Sequence, residues 1–263
     1  MQTEPHSYFK ALSPFRRKAY SNPYACAGLK PSCEMCPSYG TELSNEDPNL
    51  KGWILDTDEL RRITDATKTH NWVVPAYMDM YTSDFDPELR EALRREVGKQ
   101  SDQNFFFLTK NLSAMMEEWG AYENITWSYS ASNQDELNFL AAIRNHKSGF
   151  YPPQRSDIKE ALFLMPLISP VEIPVELFDH IGMIVVDGFR DSNSYMGTKK
   201  FKLEWLLDIQ EQVNKINPEI PVIVEGIGDH PSFGVFSIST NKKKFHHKKV
   251  DTLLDYLALD PAT

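Results

Sequence analysis

All three cysteines of this 263-residue chain fall within eleven residues: Cys26, Cys33 and Cys36, spaced C-x6-C-x2-C. Thiols placed for core packing scatter through a sequence, and disulfide cysteines usually come in even number. Three thiolates on one short segment suit another task. They can ligate three irons of a 4Fe–4S cluster and leave the fourth iron open to an outside ligand. An open iron of that kind is what S-adenosylmethionine (SAM) needs in order to chelate a cluster through its amino and carboxylate groups. Two other readings of the same residues stay open. A zinc site would need a fourth ligand, commonly histidine, and His6, His70, His146, His180, His230, His246 and His247 are all distant in sequence. Inert free thiols are the second.

A cluster needs a scaffold, and the remaining sequence reads as one. Apolar runs rich in β-branched and aromatic residues occur at 72–80 (WVVPAYMDM), 104–110 (NFFFLTK), 124–132 (NITWSYSAS), 161–168 (ALFLMPLI), 182–186 (GMIVV) and 221–224 (PVIV), and each predicts a strand. Helices are predicted between them over 86–99, with Pro87 in the first turn, over 111–119 with Asn111 as N-cap, over 134–146 and over 201–216. Near-continuous apolar strands separated by helices indicate a parallel sheet covered on both faces. A weaker strand over 15–20 precedes the cysteines, while an extra strand over 233–239 and a closing helix over 250–259 follow the series. The expected fold class is therefore α/β, a complete or partial parallel βα barrel of TIM type, with a doubly wound open sheet as the alternative. No repeat or linker is visible, so one domain is expected over 1–263, with a C-terminal extension from about residue 229.

Composition narrows the classes of function. Hydrophobic residues make up 41%, enough for a sizeable core, and the net charge of −9 opposes a general nucleic-acid-coating surface. The exception is the basic run 242–249 (KKKFHHKK), which is either a phosphate- or RNA-touching segment or a solvated loop. No apolar run reaches transmembrane length, and residues 1–10 lack a signal-peptide core. A cytoplasmic protein with reduced thiols and no membrane partner is expected.

The cysteine window reads Asn22-Pro23-Tyr24-Ala25-Cys26 and then Ser32-Cys33-Glu34-Met35-Cys36. It resembles a phage-associated, radical-SAM-like family of unknown function, whose loop typically reads NPxxGC-x6-CxxCY. The similarity continues in order along the chain. Phe107-Leu108-Thr109-Lys110 is similar to that family's LLTKR strand, and 127–134 (WSYSASNQ) to its WLGVSVENQ. The segments 165–170 (MPLISP), 184–188 (IVVDG) and 221–228 (PVIVEGIG) are similar to its EPLLGP, VIVGGE and PFFFKQWG. Several polar pocket positions depart from the family: Ser132 and Met165 stand where it has Glu, Glu225 where it has Lys, Pro37 where it has Tyr, and Asp187 and Phe189 flank the retained Gly188. A changed substrate would account for these departures, and so would a barrel that has lost SAM chemistry.

The resemblance implies a radical-SAM-type barrel holding a 4Fe–4S cluster on Cys26, Cys33 and Cys36. SAM would bind at the open iron, an electron donor such as flavodoxin or ferredoxin would reduce the cluster, and a 5′-deoxyadenosyl radical would abstract hydrogen from substrate. In such a barrel the site lies at the C-terminal ends of the strands, so the polar residues there are the candidates. Asp79, Lys110, Ser130 and Asn133 are candidate cofactor-binding residues; Lys110 could instead face solvent, and Asn133 could simply cap a helix. Asp187 and Glu225 are the candidate catalytic groups, with Arg190, Asp191, Asp229 and His230 close by in sequence. Tyr77, Met78 and Met80 read as an adenine wall or, more simply, as core. Substrates consistent with the association are a nucleic-acid base, a nucleotide or a small metabolite. The competing reading is a non-catalytic, metal- or cluster-binding barrel that serves as a partner-binding protein. A third is a hydrolase using Asp79, Asp187 and Glu225 around Mg2+, which leaves the cysteine spacing without a role. No phosphate-cradling glycine loop, nucleophile elbow or zinc-protease helix is present.

Overall fold

The fold was analysed as a computed structural model, which describes residues 9–17, 52–75, 79–82, 85–118, 122–147, 159–188, 202–226 and 236–238. In chain order the elements are β1 (Phe9–Ala11), β2 (Phe15–Arg17), β3 (Trp53–Leu55), α1 (Thr57–Thr64), β4 (Asn71–Val74), α2 (Pro87–Gly98), β5 (Asn104–Thr109), α3 (Leu112–Met116), β6 (Ile125–Ala131), α4 (Gln134–Lys147), β7 (Lys159–Leu167), α5 (Val175–Phe178), β8 (Ile184–Gly188), α6 (Leu203–Ile216), β9 (Val222–Gly226) and β10 (Phe236–Ile238). The starts of α1 and α2 are set by side chains that satisfy otherwise orphaned N–H groups. Asp56 accepts from the amides of Asp58 and Glu59, and Asp86 from that of Glu88, with Pro87 opening α2. Among the described residues no helix is long and apolar enough to cross a membrane.

The main sheet runs β1-β4-β5-β6-β7-β8-β9-β10. The first seven of these strands are parallel, and β10 closes the edge antiparallel to β9. Strand order thus follows chain order without reversal. A doubly wound sheet turns back on itself at a switch point, and this one does not. Crossovers of one hand that always step the same way put every helix on one face.

The two faces separate cleanly by strand parity. Trp72, Phe105, Phe107, Trp127, Leu162, Leu164, Ile184, Val186, Val222 and Val224 pack outward against Leu93 and Val97 of α2, Leu137 and Leu140 of α4, and Leu206, Ile209 and Val213 of α6. The alternate residues Phe9, Val73, Phe106, Ala161, Phe163, Val185 and Ile223 make a second cluster built from strands alone. Phe9 of β1 lies 5.5 Å from Phe163 of β7 by ring centroids, and 4.9 Å from Phe106 of β5 in an edge-on contact. In a flat sheet β1 and β7, four strands apart, would be separated by roughly 19 Å. The sheet therefore curls round its inner face into a half-barrel.

Three expectations change. The strand over 72–80 stops at Val74, because Pro75 follows and Asp79 to Thr82 turn. The strand near 15–20 exists as β2, but it pairs antiparallel with β3 in a separate two-stranded sheet; the first strand of the main sheet is β1. The extra strand near 236 is antiparallel, so it extends the sheet rather than continuing the βα series. The helix expected over 250–259 and the basic run 242–249 lie outside the described residues.

Candidate functional site

The C-terminal ends of β4, β5 and β6 are tied together by one hydrogen-bonded rim. Asp79, in the turn after β4, accepts from the Thr109 hydroxyl at 2.8 Å, the Lys110 amide at 2.8 Å and the Tyr81 amide at 2.9 Å. The Thr109 hydroxyl in turn accepts from the Asn111 amide at 2.8 Å, and the Asn111 side-chain amide donates to the Tyr81 carbonyl. Burial pushes the Asp79 carboxyl above its ordinary range, against the pull of these donors. Its oxygens are engaged within the fold.

Lys110 crosses from β5 to β6. Its Nζ donates to Ser132 Oγ at 3.1 Å and to Glu136 Oε2 at 3.0 Å, and both charged side chains are largely buried. Glu136 Oε2 also accepts from the Ser132 amide at 2.9 Å, and the Ser132 hydroxyl donates to the Met165 carbonyl at the end of β7. Lys110 is therefore not the solvent-facing residue that its position before α3 allowed. Asn133 Oδ1 accepts from the Glu136 amide at 3.0 Å, so Asn133 does cap α4. Ser130 sits between them on the inner face of β6, level with Phe163 of β7.

Asp187 and Glu225 occur where the ladder becomes irregular. Val186 pairs with Val224 but Asp187 pairs with Gly226, which leaves Glu225 as the extra residue of β9. One strand earlier, Leu164 pairs with Val186 but Leu167 pairs with Gly188, across the cis Met165-Pro166 bond. Bulges of this kind concentrate at barrel rims and beside sites, where they re-aim side chains. Asp187 is half-buried. Among the described residues no group of three His, Cys, Asp or Glu side chains could hold a metal ion. Asp79 is committed to its three donors, and that commitment weakens the Mg2+ arrangement.

A second network sits under the rim. Arg90 of α2 donates to Glu118 through Nε at 2.8 Å and to the Met80 carbonyl at 3.0 Å, and its guanidinium covers the rings of Tyr81 at 5.2 Å and Phe85 at 6.0 Å. Arg94 pairs with the same Glu118. Phe85 meets Phe15 of β2 at 4.7 Å and Trp53 of β3 at 5.6 Å. The β2–β3 ladder, in which Arg17 partners Trp53, is thus docked on the turn that follows β4.

Cys26, Cys33 and Cys36 lie outside the described residues, as do Tyr77, Met78, Arg190, Asp191, Asp229 and His230. Met80 is fully buried in the outer core. Sequence reasoning missed Thr109, Glu136, Arg90 and Glu118. Glu136 was detectable, since Asn133-x-x-Glu136 has the spacing of a capping box. The others depend on partners that lie too far along the chain for a local motif to reveal them.

No family model matches the chain, no curated protein matches it, and no solved structure matches it. Fold and rim together define a singly wound parallel α/β half-barrel with a hydrogen-bonded polar mouth at its C-terminal end.

Proposed function

We propose that this chain is a radical-SAM-type iron–sulfur enzyme built on a partial TIM-type barrel. One observation carries the proposal: residues 18–51, which hold all three cysteines, fall between β1 and the neighbouring parallel strand β4, and the described residues on either side of them, Arg17 and Trp53, pair in the β2–β3 ladder beside Phe85 and the Asp79 rim. A segment rooted at the C-terminal mouth is where a barrel enzyme keeps its chemistry. Cys26, Cys33 and Cys36 would hold the 4Fe–4S cluster, a donor set that fits three irons and leaves one open. Bound with SAM and reduced by a flavodoxin or ferredoxin, that cluster supplies one-electron cleavage of the sulfonium and a 5′-deoxyadenosyl radical for hydrogen abstraction.

The chain's own residues position and exclude water. Ser130 offers a hydroxyl on the inner wall, Asn133 orients the start of α4, and Asp79 fixes the backbone around Lys110. Lys110 keeps a positive charge at the rim. Asp187 and Glu225, at the irregular ends of β8 and β9, are the groups assigned to meet substrate. The competing reading, a non-catalytic cluster- or metal-binding barrel, has one observation in its favour. Lys110 is already neutralised by Glu136, and Asn133 already serves as a cap.

Anaerobic reconstitution with iron and sulfide separates the two. The enzyme reading expects about four irons per chain and an electron paramagnetic resonance spectrum that changes when SAM is added, both lost on replacing Cys26, Cys33 or Cys36 by Ala. A cluster indifferent to SAM would favour the non-catalytic reading. Absence of any cluster would sink the iron–sulfur assignment.

A further inference from the structure

We infer that a single water molecule bridges the Tyr129 hydroxyl and Glu160 Oε2 beneath α4, as a resident ligand of the fold. The site lies at the end of the half-barrel opposite the mouth, and it stands or falls independently of the iron–sulfur assignment.

Three elements build it. The register sets Trp127 of β6 beside Glu160 of β7 and Tyr129 beside Leu162, so Tyr129 and Glu160 are diagonal neighbours across two adjacent strands. Diagonal neighbours lie within reach of an aromatic side chain. α4 covers both. Leu137, Leu140, Ala141 and Arg144 recur at helical spacing. The first three pack into the outer core with Trp127, Tyr129 and Leu162. The fourth carries charge into the same stripe, and Arg144 Nη2 donates to Glu160 Oε1. Tyr129 is fully buried, and Glu160 is only 6% exposed.

Two polar atoms are left over. Among the described residues neither Tyr129 Oη nor Glu160 Oε2 has a hydrogen-bond partner, so the two do not bond each other directly. They are nonetheless close enough to interact: after burial itself, the Glu160 charge is what raises the Tyr129 phenol most. Buried polar groups in folded proteins are paired, with protein or with ordered water. One bridging molecule can serve both atoms, and the surrounding charge selects which molecule. The Arg144 guanidinium opposes a cation, and the Glu160 carboxylate opposes an anion. Burial brings the Glu160 carboxyl to about 7, so near neutral pH its free oxygen occurs both as an acceptor and, once protonated, as a donor. Water answers either state, because it donates and accepts at once. It is also held in protein interiors by roughly two to four polar partners, of which Tyr129 and Glu160 supply the first two.

Crystal structures of the full-length protein and of Tyr129→Phe test this, together with magnetic relaxation dispersion of the water oxygen, which counts long-lived buried waters in solution. The expected result is an electron-density peak about 2.7–3.2 Å from both Tyr129 Oη and Glu160 Oε2. Tyr129→Phe keeps the ring and removes one anchor, so it should lose that peak and lower the solution count by about one water per chain. A direct bond between Tyr129 Oη and Glu160, or an empty space between them in the wild-type crystal, would overturn the inference without recourse to the variant. So would a water count that Tyr129→Phe leaves unchanged.

Discussion

Lys110 and Glu136 set the energetic terms at the rim. Each is largely buried, and each depends on the other to offset the loss of water. Removing one partner strands a charge, whereas removing both does not. Lys110→Met is therefore expected to destabilise the fold by roughly 3–5 kcal/mol, and the double variant Lys110→Met, Glu136→Leu to recover most of that loss. Urea unfolding of the two variants checks this; equal losses would show that the pair contributes little coupling. The result also bears on function. An ammonium held by Glu136 and the Ser132 hydroxyl can be handed to an incoming ligand anion only if the ligand offsets the stranded carboxylate, so the coupling measured by unfolding bounds what such an exchange would cost. The legibility of these residues in sequence was uneven for a physical reason. Asn133 and Glu136 are three apart, within the span of one helical turn, so their spacing shows. Asp79 and Thr109 are thirty residues apart and meet only because β4 and β5 are neighbours.

At the scale of elements, the docked β2–β3 ladder matters most, because it is the root of the cysteine segment. Its anchor is the stack Phe15, Trp53, Phe85 and Arg90, with Glu118 holding the guanidinium in place. Arg90→Met keeps much of the apolar stem but loses the bond to the Met80 carbonyl and the bridge to Glu118. Amide exchange in the β2–β3 ladder is expected to speed up by on the order of tenfold, while the central β6–β7 amides hold their protection. Uniform acceleration across both would mean that Arg90 supports the whole fold rather than this root. The expected elements from 86 to 224 match the observed ones within a few residues, because long buried strands and amphipathic helices declare their period. β1 and β3 escaped notice since three residues carry no period. The 72–80 run misled because its apolar composition continues past Pro75, whereas the strand ends at Val74 and Asp79 meets Thr109 at the end of β5.

Across the whole molecule the two ends of the half-barrel do different work. The C-terminal end holds the rim; the opposite end holds a buried pair, Glu160 at the start of β7 with Arg144 on α4. Among the described residues Glu160 Oε2 has no hydrogen-bond partner, and burial raises the Glu160 carboxyl to about 7 although Arg144 pulls it down. The buried Tyr129 phenol is pushed up by burial and then by Glu160, and the His180 imidazole is lowered by burial and then by Arg144. The sign for stability follows from Glu160. Its folded-state value lies above the ordinary 4.5, so its contribution is complete below about pH 4.5 and is lost as pH rises through about 7. The loss amounts to about 3 kcal/mol at most. Glu160→Gln cannot titrate, so this slope should vanish from its stability curve, whatever constant offset comes from leaving Arg144 without its carboxylate. Comparing unfolding free energies of the two proteins from pH 4.5 to 8 isolates the effect, because all other groups cancel in the difference. In barrel enzymes the face away from the strand C-termini answers to stability rather than chemistry. Glu160→Gln should therefore leave iron loading at the mouth unchanged at any pH where it is folded. A matching loss would show that the two ends are coupled through β7, which runs from Glu160 to the bulged segment at Met165.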